Sequence, residues 1–236
     1  MSVIYTCDIV STATPGDRGV NRHSIPRVTD YARRERRRLA DLLLETGPDV
    51  PTLCAGWTTR DLAAHLVVRE RRPDAPVTRL IPPLAAHAEH VRQQMAARPY
   101  AEVVALVRTP PWWSPLSNPL TDELFNGLEF FIHHEDVRRG RPGWEPRTLD
   151  PGHQAALWRA VGFTARLGLR RLHIPVLVRA PGFGELVVAG ERPQATLTGE
   201  PGELALFVSG RQRAARVDVD GPHDTTERLR TAALGL

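Results

Sequence analysis

Lysine is missing from this chain altogether: all 31 basic side chains are arginines. A Walker-type phosphate loop needs its lysine and pyridoxal phosphate needs a Schiff-base lysine, so both chemistries are excluded. Cysteine is nearly as scarce, with Cys7 and Cys54 alone among 236 residues. Neither belongs to a C-x-x-C pair, which rules out a disulfide framework, a cysteine-built zinc site and a thioredoxin-like centre, and makes a reducing cytoplasm the expected location. No run approaches the ~18 apolar residues of a transmembrane helix. The segment VIYTCDIV is too short for a secretory core and lacks a basic flank before it. Residues 1–27 are expected to be a weakly ordered extension.

What remains is an ordinary globular composition, 42% hydrophobic and 25% charged with a mean hydropathy of -0.28. It leaves room for one large domain or two small ones, each with its own core. A net charge of +4 is a weak electrostatic footprint for nucleic acid. The run ARRERRRLADLLLE mimics a basic arm, but Leu39, Leu42 and Leu43 share one helical face with arginines opposite, which reads as a solvated face. Neither a nucleic-acid nor a membrane partner is expected.

Hydrophobic periodicity predicts a helix over 29–46, ended by Gly47 and Pro48. A second helix opens at Thr58, where T-x-x-D to Asp61 resembles a capping box and Trp57 can staple the first turn. Further helices are predicted at 84–97, 100–108, from Thr121 to Arg139, and from Asp150 and Pro151, as N-cap and N1, to about Arg171. From residue 174 the period falls to two, giving strands in IPVLVRA, GELVVAG, QATLTG and AARVDVDG, a helix in GELALFVSG and a closing helix in DTTERLRTAAL. The expected fold class is α+β, with a helical domain at 28–172 and a small α+β domain at 173–236. GFGEL lies between strands with no helix after it, so it is not a dinucleotide-binding loop.

Glu129 and His133, spaced i and i+4, stack on one face of the fifth helix, with Asp136 at i+7. Phe130, Phe131, Ile132 and Val137 make that helix apolar nearly all round, so its polar residues need internal partners. His65 lies between Leu62 and Leu66 on another core-facing helix. One histidine with an inward Glu/His pair would make an N2O set with a position left open, as in catalytic zinc sites, and Asp136 could orient an imidazole. A satisfied core histidine or a surface E-x-x-x-H pair would give the same pattern. His87 and His90 in HAEH read as an exposed face, and Cys54 reads as structural because nothing adjacent supplies a base. Trp112 and Trp113, in the loop TPPWWSPLSNP, either line a pocket mouth or pack.

The stretch LCAGWTTRDLAAHLVVRE resembles the C-P-G-W-T-x-R-D-L-x-x-H signature of the DinB-like superfamily, in particular its mycothiol-dependent maleylpyruvate isomerase-like branch. NGLEFFIHHEDVRR resembles that branch's E-x-x-x-H-x-x-D helix, and TLTGEPGELALFVSGR resembles the sterol-carrier-like domain that follows it. Ala55 replaces the usual proline, and HHED departs from the enzyme branch toward an actinobacterial metal-binding subfamily. The resemblance implies a DinB-like four-helix bundle followed by a sterol-carrier-like domain. It implies a divalent metal, zinc above all, on His65, Glu129 and His133, with Asp136 beside them and Arg211 reaching the cleft to hold substrate. It further implies a metal-dependent S-transferase or isomerase that uses a low-molecular-weight thiol such as mycothiol on a small electrophilic, anionic substrate. The alternative is a non-catalytic metal- or small-ligand-binding protein on the same fold.

Overall fold

The computed structural model describes residues 29–71, 82–111 and 126–235. The expected extension at 1–27, the expected helix start at Thr121, and Trp112 and Trp113 lie outside the described residues. Among those described, eight α-helices and a four-stranded sheet make an α+β fold. The helices are α1 (Thr29–Thr46), α2 (Thr59–Arg71), α3 (Pro82–Ala96), α4 (Tyr100–Arg108), α5 (Gly127–Arg139), α6 (Pro151–Arg170), α7 (Pro201–Val208) and α8 (His223–Thr231). The strands are β1 (Val176–Ala180), β2 (Gly184–Val188), β3 (Ala195–Thr198) and β4 (Asp218–Asp220). No described helix is long and apolar enough to cross a membrane.

Local chemistry explains where the helices begin. The Thr58 N–H donates to Asp61 Oδ2 at 3.0 Å and its hydroxyl to the same oxygen at 2.9 Å, so an acidic side chain closes the first turn of α2. Asp150 caps α6 by accepting from the His153 N–H at 2.9 Å, with Pro151 supplying the fixed φ of the first helical position.

Two apolar clusters organise the interior. Leu39 and Leu43 of α1, Leu62 and Leu66 of α2, Val103 and Val107 of α4, and Phe130 and Val137 of α5 form the helical one. The second joins Val176 and Val178 of β1 and Leu197 of β3 to Leu157, Val161 and Leu169 of α6 and to Leu204 and Phe207 of α7. The change of period near 173 thus marks where helix gives way to strand, while the core does not divide there: the apolar face of α6 serves the sheet. In the order β2-β1-β3-β4, the central pair β1 and β3 is parallel, with Val178 opposite Leu197, and the outer pairs are antiparallel.

α5 contributes to both clusters, through Phe130 and Val137 on one side and Leu128, Phe131 and Ile132 on the other. Most of its polar residues are therefore buried with it, and they find partners on α1, α2, α7 and the loop 47–58. The arginine face of α1 is only partly solvated. Arg36 turns inward between the helices, pairs with Glu70 through both nitrogens and donates to the Val107 carbonyl at 2.9 Å. An internal carboxylate on α2 makes that inward arginine the lower-energy arrangement.

Candidate metal centre

The site forms where α2, α5 and the loop 47–58 meet. α2 presents His65 and α5 presents Glu129 and His133, one turn apart. His65 Nε2 lies 3.5 Å and His133 Nε2 3.2 Å from the same carboxylate oxygen, Glu129 Oε1. Donor atoms around a tetrahedral metal with bonds of 2.0–2.1 Å sit about 3.3 Å apart, close to the two imidazole–carboxylate separations here, and the three donor atoms lie within 4.8 Å of one another. The set is also reachable, since the side chains of His65 and Glu129 are 25% and 28% exposed.

Behind His133 the arrangement is closed. Its Nδ1 lies 2.8 Å from Asp136 Oδ2, and the Asp136 side chain is fully buried. With a metal bound, Nδ1 would keep its proton toward that carboxylate and Nε2, on the side of His65 and Glu129, would supply the lone pair. Asp136 in turn accepts from Arg211, at 2.9 Å from Nε to Oδ1 and 2.7 Å from Nη2 to Oδ2. Arg211 stands just after α7, so the sheet-bearing part of the chain reaches the site through this side chain. The arginine expected to hold substrate holds Asp136 in this structure.

Electrostatics follow from these contacts. Burial works to raise the carboxyl of Asp136, but bonds from His133 and Arg211 overcome it and hold it down at about 2. Burial likewise works against an ionised Glu129, and the Arg69 charge with the two histidines keeps its pKa well below the usual carboxylate range. Burial lowers His65, and its bond to Glu129 does not reverse this, so it favours the neutral form that a metal ligand requires. His133 is raised well above the ordinary imidazole value: burial pulls it down, and bonds to Asp136, Cys54 and Glu129 more than compensate.

Cys54, expected to be structural because nothing adjacent in sequence supplies a base, has partners from distant parts of the chain. Its Sγ is 3.2 Å from Asp136 Oδ2 and 3.4 Å from Arg211 Nη2. These partners come from residues 82 and 157 positions away, so no local pattern announces them. Cys54, His133 and Asp136 make a second group of metal-ligand types. Asp136 is sealed from solvent whereas His65 and Glu129 are partly exposed, so the His65, Glu129 and His133 side is the more accessible of the two to an ion.

The loop that carries Cys54 is clamped onto the end of α5, where the Leu53 N–H donates to the Asp136 carbonyl at 3.0 Å. Gly140 makes that approach possible, because a Cβ there would stand 2.5 Å from the Pro51 carbonyl oxygen and 2.8 Å from Thr52 Cα. Gly140→Ala is expected to destabilise by about 1–3 kcal/mol through overpacking against backbone. Thermal unfolding would measure it, and an unchanged midpoint would show that the loop yields freely. From the same loop, Trp57 sets its ring 5.1 Å from that of His65 and forms one wall of the site.

Other residues fall elsewhere. His87 and His90 are exposed on α3, and His90 pairs with Gln94. The extra histidine of HHED, His134, points away from the centre to Glu35 at 2.9 Å, so this departure leaves the donor set untouched. Arg69 was not among the residues expected at the site, although its H-x-x-x-R spacing from His65 on α2 carried the signal. Its Nε lies 3.3 Å from Glu129 Oε1.

No family model and no curated protein matches the sequence. Among solved structures, the chain is similar in fold to the crystal structure of the mycothiol-dependent maleylpyruvate isomerase, with a TM-score of 0.56 at 11% identity over 83% of this chain and 92% of that one. A histidine-to-alanine mutant of that isomerase superposes alike, with a TM-score of 0.57 at 11% identity and the same coverage. The fold is thus that of the mycothiol-dependent maleylpyruvate isomerase.

Proposed function

We propose that this protein is a metal-dependent enzyme that binds a divalent ion, with zinc the first candidate among zinc, nickel, iron and manganese, on His65, Glu129 and His133 and uses a low-molecular-weight thiol, of which mycothiol is the candidate, to attack a small electrophile. The observation that carries this reading is the convergence of two imidazole nitrogens on one partly exposed carboxylate oxygen, at 3.5 and 3.2 Å. The thiol part is supported by the fold shared with the isomerase. A bound divalent ion would hold a thiol as its thiolate at neutral pH, which is the nucleophile such chemistry needs.

The chain's own residues do the rest. Asp136 fixes the ring of His133 and keeps its proton on Nδ1. Trp57 shields one side of His65 from water. Arg211, held by Asp136, Cys54 and the Ser209 carbonyl, is the cation closest to hand for an anionic group on the substrate, which would have to compete with those partners for it. Cis–trans isomerisation by reversible addition, and S-transfer, are both reactions that such a site can perform.

Elemental analysis of the purified protein tests the first half. About one equivalent of metal is expected, with His65→Ala and His133→Ala each losing most of it. Titration of the cobalt-loaded protein with a mycothiol analogue tests the second half, and a thiolate-to-cobalt absorption band is expected. Metal without a thiol response would support the non-catalytic binding protein instead, and wild-type protein without metal would remove the site.

A further inference from the structure

Arg69 follows His65 by one turn of α2, so both side chains leave the same face. Its guanidinium is held from two directions. Nη1 donates to Asn126 Oδ1 at 2.7 Å, and Nε faces Glu129 Oε1 at 3.3 Å. Asn126 is fully buried immediately before α5, which makes its carbonyl a fixed anchor. Both contacts therefore come from one end of α5, and the Arg69 side chain is itself only 17% exposed.

Glu129 Oε1 is thus shared by three nitrogen-bearing side chains: His65, His133 and Arg69. A guanidinium cannot lose its charge at any working pH. A dication placed on that oxygen would meet a permanent positive charge on the same carboxylate, in a largely desolvated corner where screening is weak. It would also find an oxygen whose electron density is already drawn toward Arg69. Moving Arg69 away to relieve the repulsion gives up the Asn126 bond.

We propose that Arg69, pinned by Asn126, acts as a built-in competitor that pairs with Glu129 and weakens divalent-metal binding at this site. The proposal rests on the metal reading above. It assigns the chain an affinity set by an internal ion pair, and a bound metal left more electron-poor than a histidine and carboxylate set alone would make it.

Competition with a chromophoric chelator measures the dissociation constants of zinc and cobalt for the metal-stripped full chain. The series comprises wild type, the neutral replacements Arg69→Gln and Arg69→Met, and the charge-keeping Arg69→Lys. Circular dichroism identifies which variants fold, and either neutral variant suffices. The neutral variants are expected to bind about tenfold or more tightly than wild type, and Arg69→Lys within about threefold of it. Equal or weaker binding by a folded neutral variant, beside a wild type that binds, overturns the role of Arg69 and leaves the metal site standing. Absence of binding in all four proteins overturns the metal reading and this proposal together.

Discussion

Replacing Arg139 by methionine is expected to lower the free energy of unfolding by about 3–5 kcal/mol. The Arg139 side chain is 1% exposed and almost fully engaged. Nε donates to Glu135 at 2.6 Å, Nη1 and Nη2 grip Glu203 at 2.9 and 2.6 Å, and Nη1 also donates to the Ala214 carbonyl at 2.6 Å. The guanidinium lies 4.5 Å from the centre of the Trp144 ring, which covers it. Glu135 keeps Arg138 and Arg147 when Arg139 is lost. Glu203 does not fare as well, since its remaining bond is from the Arg216 N–H at 2.7 Å. The cost therefore comes mainly from a stranded carboxylate rather than from the lost attraction. Adding Glu203→Gln to Arg139→Met removes that charge and is expected to restore about 1–3 kcal/mol. Urea denaturation of the single and double variants checks both statements. A single variant within about 1 kcal/mol of wild type would show that Glu203 finds water or another cation.

That pair joins α5 to α7, and the link is the kind of feature a sequence hides. Thr58 with Asp61 and Asp150 with Pro151 were legible as helix starts because their chemistry is complete within four residues. The i, i+4 spacing of Glu129 and His133 was legible for the same reason, as was the inward face of α2 that carries His65. The contacts of Cys54 with Asp136 and Arg211 were not, because they depend on how a loop docks against the end of α5 and on where α7 ends. Arg36 and Arg139 were invisible for a related reason. An arginine in a charged run looks solvated until a carboxylate on another helix, Glu70 or Glu203, makes burial favourable. The strands after residue 174 were readable from their alternation. The allegiance of α6 to the sheet was not, since its apolar stripe fits either core equally well.

Asp136 is where the metal centre and the sheet-bearing part of the chain meet, so its replacement is expected to affect both. Asp136→Asn keeps the volume and a carbonyl oxygen that can still accept from one partner. It removes the charge that faces His133 at 2.8 Å and Arg211 at 2.7 Å. An amide accepts a weaker bond from Nδ1, so the imidazole is less firmly held and less basic at Nε2. Metal affinity is expected to fall about 10–100-fold. Arg211 loses its counter-charge in a partly buried position, and unfolding should become easier by about 2–4 kcal/mol. The two effects separate experimentally. Arg211→Met breaks the same ion pair and should reproduce the stability loss with a much smaller change in metal affinity, because the bond that His133 Nδ1–H donates to Asp136 survives. Chelator competition and urea denaturation on both variants measure the two quantities. Equal losses of metal affinity in Asp136→Asn and Arg211→Met would mean that the seating of the sheet against the helices, rather than the orientation of His133, controls the metal.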